Sequence, residues 1–212
     1  SKKIRKLILI ISNKANSSHI GSSLSIVEIL VVLYFRVISH NSKNPDFLNR
    51  DRFILSKGHA CLALYCVLAE CGYFKVESLK TYGKNGSKFM AHISHKVPGV
   101  EFSTGSLGHG INYAVGKAFY AKRAKKKWHT YVLISDGELN EGSTWESILF
   151  ASHHKLNNLT IIIDNNKIQS LGNSKDVINL TPLKDKFLNF QFQVLEINGH
   201  NLKSLEKSLY KR

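Results

Sequence analysis

Two short apolar runs, YVLIS (131–135) and TIIID (160–164), each end in a cluster of small and oxygen-bearing residues, SDGELNEG (135–142) and DNNKI (164–168). Short strands that are apolar throughout, rather than alternating, are typical of parallel sheets buried on both faces. Asp136 and Asn166 stand 30 residues apart, which is room for one helix and one return strand. A right-handed crossover of that kind brings the chain back parallel to itself, so both side chains arrive at the same edge of the sheet. A carboxylate and a carboxamide oxygen meeting there suit a hard divalent cation, with phosphate oxygens and water completing an octahedron. Gly137 allows a tight turn beneath a phosphate and presents its N–H. The pattern therefore reads as a diphosphate–cation site. Helix or turn capping could explain either residue alone, but explains the matched pair poorly.

The rest of the chain fits the same architecture. Apolar residues at helical spacing run through 1–12 and 23–38, separated by the polar loop NKANSSHIGSS (13–23) that carries His19. The connection HNSKNPDFLNRD (40–51) leads to a short apolar strand, RFIL (52–55), and SKGHA (56–60) opens a helix to about Glu70. The stretch from Gly72 to Pro98 reads as a short helix and then a loop holding His92 and His95. TGSLGHG (104–110) precedes a helical pattern from Ile111 to about Lys126, placing glycines where unpaired helix N–H groups can face an anion. A helix is expected over 143–155, a loop to about Pro182, a short helix, a further strand at QVLEI (193–197) and a last helix over 201–210. Alternating strands and helices predict an α/β fold, a parallel sheet with helices on both faces and ligands at the carboxyl ends of the strands. No repeat or linker interrupts it, so residues 1–212 are expected to form a single domain.

Thirty basic against fifteen acidic side chains give a net charge of +15, which favours anionic partners without naming one. The densest basic run, AKRAKKK (121–127), lacks interleaved aromatics or any nucleic-acid motif and reads as a solvated helix end, so no nucleic acid is expected. Cys61, Cys66 and Cys71 recur every five residues, a spacing of neither a CxxC pair nor a zinc site, and suggest a reduced, cytoplasmic chain. The opening KKIRKLILIIS has too short an apolar run for a signal peptide, and no stretch approaches a membrane span, so no membrane partner is expected.

Four segments in order, RDRFILSKGHA (50–60), STGSLGHGI (103–111), DGELNEG (136–142) and DNNKI (164–168), resemble transketolases, and the last two resemble the thiamine-diphosphate motif of the wider superfamily. The resemblance, recognisable from about Asn16 to His200, implies the diphosphate (PP) domain of the thiamine-diphosphate-binding fold, with the pyrimidine-binding and C-terminal domains absent. It implies Asp136 and Asn166 as side-chain ligands and Ile168 as a carbonyl ligand of Mg2+, with Ca2+ or Mn2+ as substitutes. Ser135, Asp136 and Gly137 would lie along the diphosphate, and Gly105 and Leu107 against the cofactor rings. His19 and His59 would face the diphosphate and the reacting carbon, His92 the donor's first hydroxyl, and Glu141 the partner's catalytic glutamate. Two departures stand out: Ser135 replaces the motif's first glycine, and MAHISHKVPG surrounds His92 in place of a Gly-His-Pro form. His95 and His109 read equally as loop or as functional histidines, whereas His153 and His154 read as surface or satisfied core residues of a helix.

The activity so implied is transfer of a two-carbon ketol unit from a ketose phosphate to an aldose phosphate, with the cofactor as electron sink and histidines near working pH moving protons. The resemblance implies that the glutamate activating the aminopyrimidine comes from the pyrimidine-binding domain, which is not expected within these residues. The expectation is therefore an N-terminal subunit completed by a separate C-terminal transketolase subunit in a hetero-oligomer, inactive alone, although a truncated longer chain would read the same way. The alternatives are a deoxyxylulose-phosphate synthase-like or dehydrogenase-like subunit, which SKGHA and GELNEG argue against, and a noncatalytic partner-binding relative.

Overall fold

The computed structural model describes residues 1–210. Three strands, β1 (Arg52–Leu55), β2 (Thr130–Ser135) and β3 (Leu159–Asp164), form a parallel sheet in the order β1-β2-β3. The register pairs Leu55 with Leu133 and Ser135 with Asp164, so β2 and β3 end level with one another.

The two-residue period of a strand sorts the apolar side chains into two cores. Phe53, Leu55, Tyr131, Leu133 and the half-buried Ile162 face one core, and Ile54, Val132, Ile134, Ile161 and Ile163 face the other. The first core is closed by α1 (Lys2–Ala15), α2 (Ile20–Ser25), α3 (Val27–Val32) with its π-helical continuation Leu33–Val37, and α4 (Cys61–Glu70). The second is closed by α5 (Gly110–Arg123) and α6 (Gly142–His153). In α1, Ile4, Ile8 and Ile11 occupy one face and are buried, and a left-handed Asn16 (φ 49°) ends the helix. By contrast α4 is buried from Cys61 to Ala69, apolar all round as an interior helix must be. The five-residue cysteine spacing is a by-product of that burial, and all three thiols are free.

A two-stranded hairpin, β4 (Ile168–Gln169) with β5 (Gly172–Asn173), follows β3, and then come the short α7 (Ser174–Val177) and α8 (Leu183–Asn189). Phe187 of α8 enters the second core, and Leu205 and Leu209 of α9 (Leu202–Leu209) enter the first. Helices thus cover both faces of the sheet, as expected.

Three local expectations are corrected. The helix expected over 23–38 is broken at Ile26, whose non-helical backbone (φ −104°, ψ 6°) ends α2 and starts α3, and its last turn, Leu33–Val37, is π-helical. The short helix after Gly72 is a 3₁₀ turn, Val76–Thr81. The strand expected at 193–197 does not pair with any strand among the described residues. Half-buried Val194 packs against the second core, but Leu195 and Ile197 stay 50% and 41% exposed, so apolar content there serves packing on one side without a ladder.

Candidate active site

The site lies at the carboxyl ends of the strands. Asp136 immediately follows β2 and is 6% exposed, and Asn166 lies two residues beyond β3. Each is one hydrogen bond from Asp164: the Asp136 N–H donates to its carbonyl (3.3 Å), and the Asn166 amide donates to its Oδ2 (3.2 Å). Lys167, the residue after Asn166, donates its N–H to Asp136 Oδ2 at 2.9 Å. Its left-handed backbone (φ 65°) makes this turn possible, a conformation that costs an ordinary residue about 1–2 kcal/mol. The structure therefore brings together the two oxygen-bearing side chains that the crossover argument placed at one edge.

The donor set fits a hard cation. Asp136 accepts from Gly137 N–H (2.9 Å) on Oδ1, and from Lys167 N–H and the Ser174 hydroxyl (2.6 Å) on Oδ2. A carboxylate offers about four acceptor positions, so one remains on Oδ1, and Asn166 Oδ1, which accepts only from Ile168 N–H (3.0 Å), keeps another. Two protein oxygens are what Mg2+ usually takes when phosphate supplies the rest. Ile168 itself is 68% exposed at the start of the hairpin. Among the described residues, no group of three or more His, Cys, Asp or Glu side chains could hold a metal without such help.

Ser135 turns its hydroxyl to accept the Glu138 N–H at 3.1 Å, one residue ahead of Asp136, which caps the 3₁₀ turn Gly137–Asn140. A Cβ on Gly137 would stand 3.2 Å from the Gln169 side chain, so this position is pressed by the hairpin.

Three histidines from three distant segments converge beside these strand ends. The His19 ring centroid lies 5.2 Å from that of His59 and 6.0 Å from that of His92. His19 is held in a left-handed conformation (φ 66°) just ahead of α2, and His59 in the 3₁₀ turn Gly58–Ala60 that follows β1. Burial, and then the Lys57 charge and the neighbouring imidazoles, lowers the His59 pKa to about 4. His19 is lowered by burial and then by His92. Burial thus makes both rings weaker bases than a free imidazole, which corrects the expectation of histidines titrating near working pH. His95 lies apart from this group, bonded to Ser103 Oγ at 2.7 Å, and His154 packs on Phe119 and Phe150.

The 104–110 loop passes over the same edge. Thr104 is tied to the Leu55 carbonyl (2.7 Å), and a Cβ on Gly105 would meet the His92 ring at 3.4 Å. Gly105 is exposed and Leu107 half-buried. Glu141 is exposed at the start of α6, and its stem packs on Gly108.

Sequence reasoning missed a buried polar layer beneath the site. Lys57, fully buried, pairs with Asp164 at 2.6 Å, and Asp164 also accepts from Ser25 Oγ (2.7 Å) and the Asn166 amide. The signal was present, since Lys57 sits in SKGHA and Asp164 ends the apolar run, but neither spacing nor charge says that they meet. Glu138, also fully buried, accepts from the Ser56 hydroxyl and from Gly108 N–H (2.9 Å).

A parallel α/β sheet with an aspartate and an asparagine meeting at adjacent strand ends, beside three clustered histidines, suits a phosphate-bearing ligand held through a divalent cation. The family model for the thiamine diphosphate binding domain of transketolase matches residues 1–212, and the chain belongs to that family. It is 45% identical over 206 residues to one of the subunits of the apulose-4-phosphate transketolase of Actinobacillus succinogenes, covering 97% of this chain and 75% of the relative. It is 41% identical over 199 residues to the 6-deoxy-6-sulfo-D-fructose transketolase subunit SqwG of a Clostridium species, covering 93% of this chain and 72% of the relative. The crystal structure of transketolase from Campylobacter jejuni superposes with a TM-score of 0.93 at 36% identity, covering 100% of this chain but only 35% of that one. This chain thus spans about a third of the length of that transketolase.

Proposed function

We propose that this chain is the N-terminal subunit of a split transketolase that transfers a two-carbon ketol unit from a ketose phosphate to an aldose phosphate. The convergence of Asp136 and Asn166 at adjacent strand ends carries the reading, because it offers two hard oxygen ligands at one edge, as Mg2+ takes from protein when a diphosphate supplies the rest. The likeness to proteins named as individual subunits of transketolases supports a division of the active site between two polypeptides. A C-terminal subunit would supply the glutamate that activates the cofactor, and the assembly would be a hetero-oligomer.

In this reading Asp136, Asn166 and the Ile168 carbonyl hold Mg2+ (or Ca2+ or Mn2+), and Ser135 and Gly137 face the diphosphate of thiamine diphosphate. The chemistry that the cofactor supplies when bound is an electron sink for cleavage of the ketose C2–C3 bond. Gly105 and Leu107 shape the ring pocket. His19, His59 and His92 orient substrate hydroxyls. With its pKa lowered to about 4, His59 is neutral at working pH and serves as a hydrogen-bond partner, since a general base would need a pKa nearer that pH. Glu141, exposed on the rim, faces the companion subunit. The enzyme would work in the cytoplasm, because sugar phosphates carry charges that membranes retain. Among the described residues no helix is long and apolar enough to cross a membrane.

Calorimetric titration of the two-subunit assembly with thiamine diphosphate tests the reading. Binding is expected to require a divalent cation and to be lost on Asp136→Ala. Cation-independent binding, or an unaffected Asp136→Ala variant, would overturn it.

A further inference from the structure

Glu138 joins three segments that are far apart in sequence. Its Oε1 accepts from the Ser56 hydroxyl, at the end of β1, and from Gly108 N–H at 2.9 Å, in the 104–110 loop. Its own N–H donates to Ser135 Oγ, one residue before Asp136. The side chain is fully buried and its Oε2 has no hydrogen-bond partner. Burying a carboxyl group with one oxygen unserved is costly, and a fold gains nothing in packing from it that an apolar residue would not supply better.

Gly108 is gripped from its other side as well. Its carbonyl accepts from Ser143 Oγ at 3.0 Å, and its backbone is left-handed (φ 80°), with room for a Cβ only 2.8 Å from Glu141. Both gripping side chains come from the segment that starts at Asp136. The other end of the loop is pinned by Thr104 on the Leu55 carbonyl. Residues 105–107 span between these anchors and are exposed or half-buried, with Gly105 against His92.

We propose that Glu138 is a positioning residue that fixes the 104–108 loop relative to the Asp136 turn, setting the distance between the ring-facing loop and the diphosphate end of one ligand. It touches neither end of that ligand. This rests on the reading of the site as a thiamine diphosphate site. It makes a demand that reading alone does not: Glu138 matters to a ligand with rings and not to the tail alone.

The test compares wild type with Glu138→Ala, Glu138→Asp and Glu138→Gln in the two-subunit assembly, titrated with thiamine diphosphate and with inorganic diphosphate, each with Mg2+. Glu138→Ala and Glu138→Asp, which remove or withdraw the acceptor, should weaken thiamine diphosphate on the order of tenfold and change inorganic diphosphate by less than about twofold. Glu138→Gln, which keeps an acceptor oxygen at the same reach, should stay within about twofold of wild type. Amide hydrogen exchange of the ligand-free chain gives an independent readout. In Glu138→Asp, Gly108 should lose protection about tenfold while Val132 and Leu133 in β2 keep theirs. Equal weakening of both ligands, or loss of protection in β2 and at Gly108 alike, would mean a merely structural glutamate and overturn the inference. Wild type that binds neither ligand while Gly108 still loses protection would refute the site reading and leave the loop clamp standing.

Discussion

At the scale of single residues, charge burial sets the largest effects. Lys57 and Asp164 are both out of water, so removing one leaves the other uncompensated. Lys57→Met is expected to destabilise the chain by about 3–5 kcal/mol, read from the urea midpoint, and the double variant with Asp164→Asn should recover part of that loss. His59 gives a pH signature. Its pKa falls from 6.5 to about 4 on folding, so the unfolded chain takes up the proton first. Its contribution is complete above about pH 6.5 and is lost as pH falls toward about 4. In the ligand-free chain, His59→Gln should flatten the stability profile across that window. Ser135 acts through its hydroxyl on Glu138 N–H, so Ser135→Ala should cost about 1 kcal/mol, measured by thermal unfolding.

At the scale of elements, the strand-end loops depend on backbone shapes that side chains forbid. Gly108→Ala adds a Cβ 2.8 Å from Glu141 at a positive φ, and should cost more than about 1 kcal/mol. The loss should appear as faster hydrogen exchange in 104–110. The basic run at 121–127 has an element-scale role as well. Lys122 donates to the carbonyls of His154 (2.9 Å) and Lys155 (2.5 Å), where a cation balances the end of α6. Its remaining lysines are exposed, in line with a solvated helix end. The segment 193–197 shows how far a short apolar run can mislead: a strand needs an aligned neighbour as well as apolar side chains, and only the packed chain decides whether one is there.

At the scale of the whole molecule, the proposed function divides the active site between this chain and a companion. The isolated chain should show no ketol transfer, and adding the companion should restore it, measured with a ketose phosphate donor and an aldose phosphate acceptor; turnover by the isolated chain would refute the divided site. Residue order was enough to establish the parallel α/β arrangement and the meeting of Asp136 with Asn166. Apolar period and crossover length are local quantities, and chirality leaves one way to close them. It also marked His19 and His59 as candidates, since small-residue loops at strand ends are visible in the order of residues, whereas His92 was marked by resemblance alone. That Lys57 reaches Asp164, that Glu138 is buried against Gly108, and that three histidines share one spot emerged only with the folded chain. Each of those depends on which long-range neighbours remove a charged group from water, and residue order does not encode desolvation until the chain is packed.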